Sequence, residues 1–293
     1  MSERPGGSSE ERPEERPGGS SEERPEERPG GRRHGFLRAF AELLRLELAG
    51  VRRTWRGPVL LGAALVTGVG SPVVAWLVPD LLASTLGQAA AGALPVPVVA
   101  DAWAQWVKNA SSLLLVVLVV VAASAIAGER GNGVAPAELA GQGPRGRDVY
   151  VLAKTTAVGL STLAAAVVSA LACAAVATAL FEGVTGADLA RGAAAAGLWC
   201  LGALVALGLT LLVSACSRAA VLPAAVGVVF SLLGQLLALW GPLARWSPLG
   251  LVPMASSLAS SWDALVWGPV WTGGAALVLL VAGTVVALRR AEL

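Results

Sequence analysis

The stretch from Glu129 to Lys154 is a long, charged segment between two apolar runs, and it reads ERGNGVAPAELAGQGPRGRDVYVLAK. Within it, Gly141-Gln-Gly143-Pro-Arg-Gly146 fits GxGxxG, the pattern with which dinucleotide-binding folds hold a pyrophosphate. That chemistry needs a preceding strand and a following helix inside a βαβ unit. Here apolar runs flank the segment and a proline interrupts the motif. We therefore interpret it as a flexible loop and not as a cofactor site.

Other catalytic or metal-binding combinations are missing from the sequence. His34 is the sole histidine, so no Ser/His/Asp or Cys/His arrangement can be built. The GxxxxGK[ST] phosphate loop is absent too, because Lys108 follows a valine and Lys154 follows an alanine. All three cysteines lie in apolar runs, where we expect them to pack as small apolar residues. The sequence predicts neither an enzyme nor a directly bound cofactor or metal.

The composition predicts a polytopic membrane protein. Of the 293 residues 55% are hydrophobic and 14% are charged, with a mean hydropathy of +0.66. Soluble domains are nearer a quarter charged. Apolar runs of bilayer-spanning length predict six helices, at about 58–79, 108–127, 154–180, 193–216, 220–241 and 266–288. No Asp, Glu, Lys, Arg or His falls in the middle of a span, and Gln235 is the most polar group there. This argues against a carrier that handles protons or sodium.

Basic residues predict the orientation. From residue 32 onward, fourteen lie on the side of both termini and of the 129–154 segment, against three on the other side. The positive-inside rule makes the first side cytoplasmic. Tryptophans near the other ends of the spans, Trp103 and Trp106 among them, are interpreted as an interfacial belt. The Ala-, Gly- and Arg-rich composition is typical of a GC-rich bacterial gene, so we expect the bacterial plasma membrane.

The N-terminal region divides in two. Residues 1–34 contain a twelve-residue Pro/Gly/Ser/Glu repeat and are predicted to be disordered. Residues 35–56 separate an apolar arc from a basic one, as an amphipathic helix lying on anionic membrane lipid does. Glu47 lies on the apolar arc, either paired with a neighbouring arginine or in contact with a partner subunit. The residues singled out in this helix are Glu47, Arg52, Arg53 and Trp55.

The predicted external segment 242–265 contains three prolines yet is strongly apolar. Two interpretations stay open for it. It forms short helices that re-enter or cap the outer leaflet, or it is a collapsed external loop. The overall charge of +2 gives no reason to expect nucleic acid as a partner.

Taken together, residues 36–293 resemble the permease subunits of ABC-2 type exporters. In that family the loop between spans two and three opens with Glu-Arg/Lys-x-x-Gly, continues to Pro-x-Ser-Arg and closes on a lysine. Glu129-Arg130-x-x-Gly133 matches the opening, and Pro144-Arg-Gly-Arg147 matches the second part with glycine in place of serine. Lys154 matches the closing lysine. The distance from Gly133 to Pro144 is about two residues longer than usual in the family, and Val134 stands where threonine is frequent.

The resemblance implies an all-α fold with six transmembrane helices, an N-terminal interfacial helix and a cytoplasmic coupling loop at 128–154. It implies that a separate ATPase subunit, which holds ATP and magnesium, binds this loop, and that the permease pairs with a second copy or homologue. Its coupling residues would be Glu129, Arg130, Gly133, Pro144, Arg147 and Lys154. Alternatively, these charges only mark the membrane boundary. The competing function is a non-transporting membrane anchor that recruits a soluble partner.

Overall fold

A computed structural model describes residues 29–86, 96–131 and 144–290, with side chains from Phe36 onward except at 86, 130, 144 and 145. All elements in these ranges are helical, and none is a strand. Helix α1 is Pro29–Arg53 and α2 is Arg56–Leu86. Helix α3 is Val99–Gly128, with π-helical segments at Ala110–Leu114 and Ser124–Gly128. A helical turn, Glu129–Gly131, follows it.

The second half of the chain is also helical. Helix α4 is Pro144–Leu180, α5 is Gly186–Cys216 and α6 is Val221–Leu237. Two short helices follow, α7 at Gly241–Trp246 and α8 at Leu251–Leu258, with 3-10 turns at Pro248–Gly250 and Trp262–Ala264. Helix α9 is Trp267–Arg290.

Five of these helices, α2, α3, α4, α5 and α9, are long and apolar enough to cross a membrane. This agrees with an all-α membrane protein. The predicted fifth span at 220–241 corresponds to α6, which has 17 residues and so lies at the lower limit of spanning length. The predicted starts of three spans were too late, because α3 begins at Val99, α4 at Pro144 and α5 at Gly186.

Helices α2 and α4 run in the same direction and pack closely. A Cβ atom at Gly68 would lie 2.4 Å from the carbonyl oxygen of Ser169, so only glycine allows this approach. Small residues at such contacts are typical of helix pairs in membranes, where close backbone packing replaces the hydrophobic effect. At this contact α2 and α4 are held side by side, and α1 packs against both near their N-terminal ends.

Three tryptophans lie at the centre of the bundle. Trp106 is fully buried between Trp103 and Trp199, with ring centroids 6.1 and 5.5 Å apart and edge-to-face geometry. The Trp106 Nε1–H donates to Ser169 Oγ on α4 at 2.9 Å, and the Trp199 Nε1–H donates to Ser111 Oγ on α3 at 3.0 Å. The predicted interfacial location is therefore wrong for Trp103 and Trp106, whose rings join α3, α4 and α5 inside the protein.

Two further predictions differ in outcome: the short helices expected within 242–265 are present, whereas the role expected of the cysteines holds for only two of the three. The segment predicted at 242–265 consists of the short helices and 3-10 turns given above, and Leu251, Met254 and Leu258 are buried against the bundle. Helix α8 contacts α3 and α5. Cys173 and Cys200 are buried, but Cys216 is exposed, so the packing role predicted for all three cysteines is wrong for Cys216.

The N-terminal boundary also differs from the sequence interpretation. Residues 29–34, assigned to the disordered tail, are helical and belong to α1, whereas residues 1–28 lie outside the described part of the chain. The amphipathic helix predicted at 35–56 ends at Arg53, and α2 begins at Arg56. Trp55 lies in the two-residue break between them and is half exposed.

Candidate functional site

Lys154 is the most deeply buried charged residue among those the structure describes. Its side chain has no exposed surface, and its Nζ lies 2.6 Å from Glu47 Oε1 on α1 and 2.6 Å from Glu129 Oε2 in the turn after α3. The two carboxylate side chains are only 16% and 21% exposed. A buried ammonium is tolerated where opposite charges and hydrogen bonds replace its hydration. We call Glu47, Glu129 and Lys154 the charged triad.

Tyr150 completes the surroundings of the triad from one helical turn earlier in α4. Residues four apart lie on the same face of a helix, and the Tyr150 hydroxyl accordingly donates to Glu129 Oε2 at 3.1 Å. The Lys154 Nζ also lies 4.8 Å from the centre of the Tyr150 ring, within the range of a cation–π contact. Glu129 is therefore held by two residues of α4.

The charged triad joins three parts of the chain that are distant in sequence. Apolar and small side chains of α4 on either side of Lys154, including Val151, Ala157 and Val158, are buried and keep water from the amine. Arg56, the first residue of α2, lines a small cavity together with Glu47 and Lys154. Its guanidinium donates to the carbonyl oxygen of Ser124 on α3 at 3.2 Å. The beginnings of α2 and α4 and the end of α3 thus meet α1 at one end of the bundle.

At their ordinary charges the triad carries one positive and two negative groups, a net charge of −1. The cavity beside it measures about 10 Å³, near the smallest volume that holds a water molecule. Arg56 supplies a nearby positive charge. Because the lysine is shared between two acids, moving either acid away still leaves it one partner. The arrangement can therefore change partners without leaving the ammonium unpaired.

A second ion pair lies at the same end of the bundle. Asp148 on α4 accepts from Arg289 Nε and Nη2 at 2.6 and 2.5 Å, and this pair joins the start of α4 to the end of α9. Arg147 Nη1 donates weakly to the backbone oxygen of Arg289 at 3.4 Å. The Arg289 side chain is half exposed, so this pair contributes less to stability than the buried lysine does.

The structure brings together some of the residues singled out from the sequence. Glu47, Glu129 and Lys154 meet in the triad, and Glu47 pairs with Lys154 rather than with a neighbouring arginine. Arg52 and Arg53 lie exposed in the last turn of α1, and Pro144 is the first residue of α4. Arg130 is in a helical turn but its side chain lies outside the described part, as does the whole of Gly133.

Sequence reasoning missed Tyr150, Asp148 and the role of Arg56. The spacing of four between Tyr150 and Lys154 was a usable signal, since it predicts a shared helix face. No cluster of three or more His, Cys, Asp or Glu residues that could bind a metal is found within residues 29–86, 96–131 and 144–290. No protein-family model matches the sequence, and no curated protein matches it.

Proposed function

We propose that this chain is the transmembrane permease subunit of an ATP-driven exporter, with a separate ATPase subunit bound to the segment 129–154. Both termini and this segment would then lie in the cytoplasm, and the permease would work with a second permease subunit. The observation that supports the proposal best is the buried Lys154, paired with Glu129 at the opening of the segment and with Glu47 on α1.

The triad gives force a route from the segment into the membrane helices. A partner that moves residues 132–143 acts on Glu129 at one end of the segment and on Pro144 at the other. Separating Glu129 from Lys154 breaks a hydrogen bond between two charged groups, which costs about 1.5 to 3 kcal/mol, even though Glu47 still pairs with the ammonium. Moving α1 and the base of α4 together with Glu129 avoids that cost. A displacement of the segment is therefore transmitted to these helices as a unit.

Helix α4 is suited to receive such a displacement. It is continuous over 37 residues, about 55 Å at 1.5 Å per residue, which exceeds the roughly 30 Å of a bilayer core. Its first turns are joined to α9 through Asp148 and Arg289, and its middle is joined to α3 through Ser169 and Trp106. A force on Pro144 would tilt α4 and carry these neighbours with it, as in rigid-body switching.

The test reconstitutes the full chain with a candidate soluble P-loop ATPase, sought first among the neighbouring genes, and measures ATP hydrolysis with and without the permease. We expect hydrolysis stimulated by the permease, and loss of this stimulation when residues 134–146 are replaced by a Gly/Ser linker of equal length. Lys154→Met should also lose it. Lys108→Met is the matched control, because Lys108 is the other lysine, is exposed and lies in α3 away from the triad.

The outcomes separate the alternatives. Stimulation that survives the linker replacement contradicts coupling through this segment. ATPase binding without any stimulation by the wild-type chain supports the non-transporting anchor instead. Nucleotide hydrolysis by the purified chain alone contradicts the division of labour between the two subunits.

A further inference from the structure

An apolar groove of about 440 Å³ opens on the surface of the bundle between α1, α2 and α4. Its walls include Val51 on α1, Leu60 and Ala64 on α2, and Ala164 and Val168 on α4. The only charged residue in its lining is Arg52. The hydroxyl of Ser161, which also lines the groove, donates to the carbonyl oxygen of Ala157 in its own helix and therefore needs no hydrogen-bond partner from a ligand. The groove therefore has an apolar body and a single ionic group.

Arg52 lies at the end of the groove nearest the break between α1 and α2. A Cβ atom at Gly57, which also lines the groove, would lie 3.2 Å from Arg52 Cα, so the arginine stands beside the first turn of α2. Arg52 and the adjacent Arg53 are exposed, and neither makes an ion pair or hydrogen bond with another residue in the described ranges. Arg52 thus places one positive charge at the mouth, and Arg53 follows it in the chain without lining the groove.

The groove extends from this mouth along the membrane helices. From Gly57 to Ala64 on α2, and from Leu160 to Val168 on α4, it covers about 10 to 12 Å at 1.5 Å per residue. Helices α2 and α4 run parallel, because Arg56 lies near Lys154 whereas Gly68 contacts Ser169, so the far end of the groove lies deeper along both helices. Its rim carries the exposed apolar side chains of Leu61 and Leu160. Such a rim suits hydrocarbon neighbours better than water.

We propose that the groove binds one anionic glycerophospholipid, with its phosphate at Arg52 and an acyl chain along α2 and α4. Charge complementarity favours an anionic headgroup over a zwitterionic one, because each arginine beside an anionic lipid contributes about 1 kcal/mol. The amphipathic α1 places both arginines where headgroups lie. The bound lipid fills the angle between the interfacial helix and the first membrane helix. This inference does not depend on the proposed transport function.

Native mass spectrometry of the delipidated full chain in detergent tests the proposal. Phosphatidylglycerol and phosphatidylcholine with identical acyl chains are titrated separately. We expect one phosphatidylglycerol bound in preference to phosphatidylcholine. Arg52→Gln should weaken phosphatidylglycerol binding about fivefold, the factor that corresponds to the loss of one arginine contribution, and leave phosphatidylcholine binding unchanged.

A second pair of variants probes the acyl part of the site. Ala164→Leu fills the groove and should abolish the bound lipid, whereas Ala175→Leu, at an exposed position on the same helix outside the groove, should retain it. Equal binding of the two lipids, or unchanged binding in Arg52→Gln or Ala164→Leu, overturns the proposal. Displacement of the lipid by inorganic phosphate also overturns it, because Arg52 would then bind a free anion.

Discussion

Replacing Lys154 by methionine should destabilise the fold more than any other single change of a charged residue in the described part of the chain. Methionine keeps most of the lysine's length and apolar contact but removes the charge between Glu47 and Glu129. Removing one partner of a buried pair costs about 3 to 5 kcal/mol. The side chains of Glu47 and Glu129 are 16% and 21% exposed, so water can partly solvate their carboxylates once the lysine is gone. We therefore expect a loss of about 2 to 3 kcal/mol, below that range because of this partial solvation.

A double-mutant cycle separates the pairing from a general loss of packing. Glu47→Gln alone leaves Lys154 paired with Glu129 and should cost about 1 kcal/mol, the value of one hydrogen bond. When Lys154 is already methionine, Glu47→Gln instead removes one of two facing carboxylates and should stabilise the protein. The coupling free energy between the two positions should then lie within the 0.5 to 3 kcal/mol range of contacting residues.

The assay is reversible unfolding of the purified chain in mixed micelles, followed by circular dichroism during titration with a denaturing detergent. Lys108→Met is the control and should change the unfolding free energy by no more than about 0.5 kcal/mol. If Lys154→Met is as mild as Lys108→Met, the lysine is not the buried centre of an ionic site. If the cycle gives a coupling near zero, Glu47 and Lys154 do not interact.

Three further predictions test other parts of the structure. Gly192→Ala should lower the thermal midpoint, because its Cβ would lie 2.0 Å from Trp103 Cε2 and overpacking costs about 1 to 3 kcal/mol. Gly197→Ala is the matched control and should be neutral or slightly stabilising, because its Cβ meets nothing within 4 Å. Equal thermal midpoints for the two variants would contradict this packing. A water-soluble maleimide should label Cys216 and spare the other two cysteines, and mass spectrometry showing rapid labelling of a buried cysteine would contradict the burial described above. Arg289→Gln should lower the unfolding midpoint only slightly, and less so in high salt, because the arginine is half exposed and salt screens the pair; a large loss that salt does not change would show that the pair is effectively buried.

The membrane helices could be predicted because the signal is local. Length and hydropathy place an apolar run in the bilayer whatever it packs against, so the runs behind α2, α3, α4, α5 and α9 were found. The starts of α3 and α4 were missed because charged or polar residues near their ends, such as Asp101 and Arg147, continue the helix beyond the apolar run. Hydropathy has no means of detecting that continuation.

The site was harder to predict because its parts are distant in sequence. Glu47 and Lys154 are 107 positions apart, and no local pattern pairs them. The tryptophans show the same limit, since their interfacial preference is an average and Trp106 instead finds Ser169 on another helix. Lys154 was expected at the base of a span from a resemblance, but its complete burial depends on how α1, α3 and α4 pack. That packing can be read only from the three-dimensional structure.

Because Lys154 is buried and paired in the folded protein, its positive charge acts differently before and after folding. If the proposed orientation holds, Lys154 is unpaired before α1 and α4 meet and would then help to retain its flank on the cytoplasmic side during insertion. After folding, two acids surround it and lipid headgroups no longer encounter it. The folded protein therefore presents less positive charge at this end of the bundle than a count of its basic residues implies. The same side chain would then act as a free positive charge during insertion and as part of a buried ionic cluster after folding.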